Sequence, residues 1–286
     1  MTATTANEVD AKSTSRFVDI PGFRIHYNEA GAGHTVVLLH GSGAGATGWS
    51  NFWPNIGALA QRFHVLAIDM PGWGESSTVD GLARDHPSAL IAVLDALGVD
   101  RAALVGNSMG GQTSLVTAAK WPDRVSHLIT MGAPSPGPAL FAAGGGLSEG
   151  LKVLMEAYED PSPANFKRLV QIMCFDQSMA TDELANLRSS AALKHPEHLA
   201  SFLQTRFGGN PRAAWFGMDE KLVQITAPTL LLHGRDDRVV PYEHSLNLLA
   251  RIPNSRMVLL NRCGHWAQIE HADEFNRLVA DFVDRT

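Results

Sequence analysis

The chain is poor in cysteine. Only Cys174 and Cys263 occur among 286 residues, far apart, which excludes a disulfide framework and points to a reducing compartment. Long apolar runs are missing as well. None approaches the roughly 20 residues that a membrane span needs, so no membrane association is expected. Basic clusters are absent: 23 Lys and Arg stand against 29 Asp and Glu, a formal net charge of −6 that argues against a nucleic-acid partner. Residues 1–15 have neither the charged head nor the apolar middle of a secretory leader, and read as a disordered tail on a cytoplasmic protein. Neither H-E-x-x-H nor a paired Cys/His spacing occurs, so no structural or catalytic metal is expected.

What is present is ordinary globular composition, 45% apolar and 18% charged. Phe17–Ile20 and Arg24–Glu29 flank Pro21-Gly22 like a hairpin. Thr35–His40 is a continuous apolar run, as expected of a strand buried on both faces, and Phe63–Asp69, Ala102–Gly106 and His127–Met131 repeat the pattern. Helical stretches Asn51–Ala60, His86–Leu97 and Met109–Trp121 alternate with them. Strand and helix alternating in this way imply an α/β fold with a mostly parallel central sheet covered by helices on both faces. The rhythm stops at Ala133. It resumes with Thr229–His233, Arg256–Leu260 and a helix over Ala272–Val283. Residues 16–132 and 223–286 are therefore expected to form the core domain, and 133–222 a helical cap roofing a substrate pocket.

Gly106-Asn107-Ser108-Met109-Gly110 matches G-x-S-x-G, the nucleophile elbow of the α/β-hydrolase fold. In a chain with 26 glycines about one sequence in seven would carry the string by chance, so the string alone is weak. Its setting strengthens it, because it leaves a strand and opens a helix. A serine hydroxyl needs a base. The acid and the base should follow in chain order at the ends of later strands. Asp237 lies in Gly234-Arg235-Asp236-Asp237 after the strand Thr229–His233, and its G-x-x-D spacing favours it over Asp236. His265, in Cys263-Gly264-His265-Trp266 after Arg256–Leu260, is placed to accept the serine proton; His271, at a helix start, is a poorer base. Cys263 is read as a packed residue, not a nucleophile.

Gly43-Ala44-Gly45-Ala46-Thr47-Gly48 also fits G-x-G-x-x-G, with Asp69 about 20 residues beyond, the spacing of a dinucleotide site. That reading leaves Ser108, Asp237 and His265 without a purpose. The same glycines make a better oxyanion loop, with the backbone N–H groups of Ser42 and Met109 as donors and His40 as a brace.

G-N-S-M-G-G at Gly106–Gly111, G-R-D-D-R at Gly234–Arg238 and C-G-H-W-A-Q at Cys263–Gln268 resemble the meta-cleavage product hydrolases, especially those of the biphenyl pathway. The resemblance runs from about Arg16 to the C-terminus. It implies cleavage of a carbon–carbon bond in 2-hydroxy-6-oxo-hexa-2,4-dienoates during aromatic catabolism, without a cofactor. It implies that Arg188 and Trp266 hold the substrate's carboxylate and 2-oxo end, with Gly43, Asn51, Asn107 and Ser178 as further contacts, and that the chain forms a homodimer or larger homo-oligomer. A carboxylesterase or lactonase with the same triad is the alternative. The chain departs from the family in its oxyanion loop, where Ala44 replaces a usual proline and Ser42 a glycine. That loop is expected to be more mobile.

Overall fold

The computed structural model describes residues 9–80, 84–136, 147–208 and 221–285. Eight strands form one sheet: β1 Ser15–Ile20, β2 Phe23–Ala30, β3 Thr35–Leu39, β4 His64–Ile68, β5 Ala102–Asn107, β6 Val125–Met131, β7 Thr229–Gly234 and β8 Ser255–Leu260. Their order is β1-β2-β4-β3-β5-β6-β7-β8. β1, β2 and β4 pair antiparallel, and every later pairing is parallel.

The apolar runs are unbroken because both faces of the sheet are covered. Along β3, Val37 and Leu39 join one core cluster while Val36 and Leu38 join the other, as the two-residue period of a strand requires. Helices α2 (His86–Ala96) and α3 (Met109–Lys120) pack on the first face, and α1 (Gly48–Leu59) packs on the second. The chain runs from β3 to its neighbour β4 and then returns to β5 on the other side of β3. This reversal puts the loops after β3 and β5 side by side at the carboxyl ends of the strands, where open α/β sheets bind ligands.

Between β6 and β7 lie α4 (Glu149–Glu159), α5 (Pro163–Met173), α6 (Asp182–Leu193) and α7 (Pro196–Gly208). Their apolar faces build a third cluster from residues such as Leu154, Tyr158, Phe166 and Met173. That cluster also takes in Ala44, Val239 and Trp266 from the loops at the strand ends. After β7 come α8 (Glu243–Arg251), α9 (Ala267–Glu270) and α10 (Ala272–Arg285). The sequence reading found α10, whose Phe275, Val279 and Phe282 repeat at helical spacing. It missed α8 and α9, which are too short for a period to show. Residues 1–8 of the expected tail lie outside the described residues, while Thr14 is buried and Asn28 donates hydrogen bonds to Ala11 O and Thr14 Oγ1.

Asp69 has no free carboxylate oxygen for a ribose. Its Oδ1 accepts from Gly48 N at 2.7 Å, and its Oδ2 from His26 Nδ1 at 2.8 Å and Glu75 N at 3.1 Å. With the capping box of Thr47 and Ser50 at the start of α1, the G-x-G-x-x-G stretch is absorbed by helix capping and loop bracing.

His86, buried in α2, has its imidazole pushed down from 6.5 to about 3, chiefly by burial. Between those values the unfolded chain binds a proton that the folded chain does not, so stability falls as pH drops through this window. At pH 5 the loss from His86 is about 2 kcal/mol. Urea titrations at pH 7 and pH 5 should show that pH-dependent difference shrinking by a similar amount in His86→Gln.

Candidate active site

The sharp turn after β5 carries Ser108 at φ 53° and ψ −112°, a conformation that side chains other than glycine rarely adopt. Such strain costs about 1–3 kcal/mol and survives only where the surroundings enforce it. Here Ser108 N donates to Met131 O at 2.8 Å and Ser108 O accepts from Gln112 N at 2.9 Å. The helix that follows lies so close to β3 that a Cβ on Gly110 would stand 2.1 Å from Leu39 O. Ser108 thus sits at the amino end of α3, in the field of its unpaired N–H groups.

His265 Nδ1 donates to Asp237 Oδ2 at 2.7 Å, and both side chains are buried. Asp237 Oδ1 accepts from Val239 N and Val240 N at 2.8 and 2.9 Å. Burial alone pushes this carboxyl up, but the adjacent His265 and the hydrogen bonds from His233 and His265 outweigh it and hold it below the usual carboxylate range. Asp237 is therefore an anion at working pH. The proton on His265 is directed to Nδ1, which leaves Nε2 as the basic nitrogen.

Ser108 and His265 line one narrow cleft together with Ser42, Gly43, Asn51, Asn107, Arg188 and Trp266. Among the described residues no hydrogen bond joins the Ser108 hydroxyl to His265. Catalytic bonds of this kind often tighten only once substrate is bound. Asn107 Nδ2 donates to the carbonyls of His265 and Met131, at 3.2 and 3.3 Å. Its Oδ1 is buried and unpartnered. Asn51 Oδ1 accepts from Gly41 N at 3.3 Å.

Arg188 reaches into the cleft from α6, its guanidinium 4.2 Å from the Trp266 ring centre. It has no ion-pair partner among the described residues, and its Nε is a buried donor without an acceptor. Burial lowers this guanidinium to about 10, so it is still a cation near neutral pH. A desolvated cation beside an aromatic face and without its own carboxylate suits an anionic ligand group.

Some expectations fall outside this arrangement. Ser178 is exposed on a short turn, its hydroxyl donating to Asp176 Oδ1 at 2.7 Å, and it does not line the cleft. A local Asx turn explains it, since serine two residues after aspartate satisfies its own neighbour. Asp236 has a buried oxygen without a hydrogen bond and lies 3.6 Å from Arg235, away from the histidine. His271 Nε2 donates to Arg262 O instead of facing the cleft. The thiols of Cys263 and Cys174 are buried and pushed up by that burial, which leaves them protonated and unreactive. His40 is a brace: its Nε2 accepts from Met70 N at 3.0 Å and its Nδ1 donates to Gly41 O at 2.8 Å.

The α/β-hydrolase fold family matches residues 34–272. The chain is 44% identical over 279 residues to a 2-hydroxy-6-oxononadienedioate/2-hydroxy-6-oxononatrienedioate hydrolase of Cupriavidus pinatubonensis, covering 94% of this chain and 95% of that one. It is 42% identical over 288 residues to a 2-hydroxy-6-oxo-6-phenylhexa-2,4-dienoate hydrolase of Burkholderia cepacia, covering 96% and 98%. The meta-cleavage product hydrolase CumD of Pseudomonas fluorescens IP01, solved with acetates, superposes with a TM-score of 0.84 at 33% identity, over 94% of this chain and 97% of that chain. The chain belongs to the meta-cleavage product hydrolases.

In this hydrolase three groups around the site escaped the sequence reading. His233 Nε2 lies 3.2 Å from Asp237 Oδ2 and 2.8 Å from Val240 O, while its Nδ1 pairs with Ser245 Oγ at 2.7 Å. Four residues before the acid, at the end of β7, it backs the carboxylate that orients His265. Glu270 ties the base loop to the helical insert. Its Oε2 accepts from Gly264 N at 2.6 Å, its Oε1 from Phe175 N and Asp176 N at 2.7 and 2.9 Å, and burial pushes its carboxyl up. Tyr158, the third, donates its hydroxyl to Ser42 O in the loop after β3. Only His233 carried a local signal, since it stands near the end of the strand that leads to Asp237.

One cluster in the hydrolase has metal-ligating residue types. His195, Glu197 and His198 bring ligand atoms within 4.8 Å of one another at the start of α7. None of the three lines the cleft of Ser108. His195 Nδ1 is already bonded to Glu197 at 3.1 Å.

Proposed function

We propose that this chain hydrolyses the carbon–carbon bond between C5 and C6 of 2-hydroxy-6-oxo-hexa-2,4-dienoates, with Ser108, His265 and Asp237 as its triad. The observation that carries this reading is Arg188, an unpaired buried cation stacked on Trp266 in the same cleft as Ser108. A general esterase has no use for it. The substrate's carboxylate and 2-oxygen lie against Arg188 and Trp266, and its C6 carbonyl lies at Ser108. His265 Nε2 moves the proton from the 2-hydroxyl to C5, which turns the dienol into a ketone. It then takes a proton from the attacking hydroxyl, that of Ser108 or of a water. The N–H groups of Ser42 and Met109 hold the developing oxyanion. When the tetrahedral adduct collapses, the C5–C6 electrons flow through C4 and C3 to the oxygen on C2, which Arg188 stabilises. One water is consumed. A 2-hydroxypenta-2,4-dienoate and a carboxylic acid leave.

Residues 133–222 act as the cap, with α4 and α5 roofing the cleft. Leu154, Phe166, Leu169 and Met173 form its apolar wall and favour an apolar group on C6, such as phenyl, over a charged one. No helix among the described residues is long and apolar enough to cross a membrane. Two unpaired cysteines fit a cytoplasmic enzyme, and family likeness supports a homodimer or larger homo-oligomer.

The test mixes the protein with 6-phenyl, 6-methyl and 6-carboxyethyl dienoates and follows loss of their visible absorbance. Rapid loss of the phenyl compound is expected. Cleavage of simple esters with every dienoate left intact would assign an esterase instead.

A further inference from the structure

The loop that follows β3 carries Ala44 in place of a stiffening proline, yet three of its carbonyls in a row are engaged. Gly41 O accepts from His40 Nδ1 at 2.8 Å. Ser42 O accepts from the hydroxyl of Tyr158 at 2.7 Å. Gly43 O accepts from Trp73 Nε1 at 3.1 Å and from Ala46 N at 3.0 Å. Trp73 Nε1 also lies 3.2 Å from the Tyr158 oxygen, so the indole donates to the phenol while the phenol donates to the loop.

In a trans peptide the C=O and N–H point in opposite directions. Holding one carbonyl therefore aims the N–H of the next residue. His40 on Gly41 O aims the N–H of Ser42, and Tyr158 on Ser42 O aims that of Gly43. Ser42 is fixed from both sides. Ser42 N and Gly43 N have no acceptor among the described residues, and both residues line the cleft of Ser108.

Two of these clamps belong to the core, but Tyr158 comes from α4. It is 3% exposed and its ring stacks on Phe202 of α7, with centroids 4.0 Å apart. Burial pushes its hydroxyl up, so it remains a donor across the working pH range. The insert meets the loop at a second point. Gly45, at φ +66°, lies so close under α6 that a Cβ there would stand 2.5 Å from Ala192 N.

We propose that Tyr158 is a positioning residue for the oxyanion hole, and that the hole takes its catalytic shape only while the helical insert is seated on the loop. This rests on the reading of Ser108 as nucleophile or water activator, with the 42–44 loop as its oxyanion partner. Cap and chemistry are then coupled. When α4 lifts, Ser42 O loses its donor, the Ser42–Gly43 peptide is free to rotate, and Ser42, whose N–H serves the hole, is held from one side only, through Gly41 O. Such an interaction matters in the transition state and adds little to substrate binding.

The test compares wild type with Tyr158→Phe, which keeps the stacked ring and removes only the hydroxyl, and with Trp73→Phe, which removes one of the two donors to Gly43 O and the indole's hydrogen bond to Tyr158. Three quantities are read: kcat and KM on the best dienoate or ester, the Kd of phenylboronic acid, and Tm. The boronate becomes tetrahedral on the serine and places an oxygen in the hole whatever the natural substrate is. In Tyr158→Phe, kcat should fall about 10- to 100-fold, below the loss expected for deleting a donor outright, and boronate affinity should weaken alongside it. KM should stay within about twofold. Trp73→Phe should show the same split, more weakly. A lower Tm with kcat and boronate affinity unchanged would make Tyr158 a packing residue and overturn the proposal, as would a rise in KM alone. If wild type cleaves no dienoate but still binds the boronate in a Tyr158-dependent way, the substrate assignment fails and the coupling stands.

Discussion

Replacing Ser108 by alanine is expected to lower kcat on a 6-phenyl dienoate by about 10⁴-fold or more, with binding largely retained. The hydroxyl is the only group at the head of the elbow, and the fold pays for its placement with a positive φ at a serine. In the proposed triad Asp237 and His265 act through it. Removing the nucleophile from such a unit therefore costs about as much as removing several of its members. Stopped-flow absorbance at substrate excess gives kcat, and equilibrium titration of the alanine variant gives Kd. Ser108→Ala should also accumulate the ketonised substrate, because the first proton transfer needs His265 and not the serine. Retention of more than a tenth of wild-type kcat would show that the serine carries no step of the reaction, and the triad assignment would fall.

Arg188→Ala should reduce kcat/KM for the same dienoate by about 10²- to 10³-fold, the scale of a buried charge-assisted hydrogen bond to an anion. Part of the loss should appear in KM, because the carboxylate loses its partner. The rest should appear in kcat, because the electrons of the broken C5–C6 bond come to rest on the oxygen beside that same guanidinium. Arg188→Lys should recover little. An ammonium lacks the planar fork that matches a carboxylate and stacks less well on Trp266. Hydrolysis of a neutral p-nitrophenyl ester should change by less than about threefold, since the remaining hole and triad suffice for it. Equal losses on ester and dienoate would make Arg188 a structural residue of the insert and remove the main support for the substrate assignment.

Much of the site was legible because its signals are local. The elbow is a pentapeptide between a strand and a helix. Asp237 and His265 each follow an apolar strand within a few residues, and short-range sterics and strand periodicity are enough to single them out as candidates. Asp237 could be told from Asp236 by its spacing, and its hydrogen bond to His265 Nδ1 agrees with that choice. Ser178 illustrates the limit. Family likeness placed it at the substrate, but its hydroxyl turns to Asp176 two residues away, and nothing in the string distinguishes the two uses. The loop at Ala44 is a second case. The missing proline suggested slack, whereas donors from three separate parts of the chain hold its carbonyls.

The sequence by itself determined the layered α/β architecture and singled out Ser108, Asp237 and His265 as the candidate nucleophile, acid and base, because each is written in neighbouring residues. The tertiary structure alone decided which distant groups brace the machinery. Tyr158 reaches Ser42 across 116 positions, and Asn107 reaches His265 across 158. The physical reason lies in the range of the forces. Backbone sterics and apolar periodicity act over a few residues, whereas a hydrogen bond between remote side chains exists only after the sheet and its insert have packed.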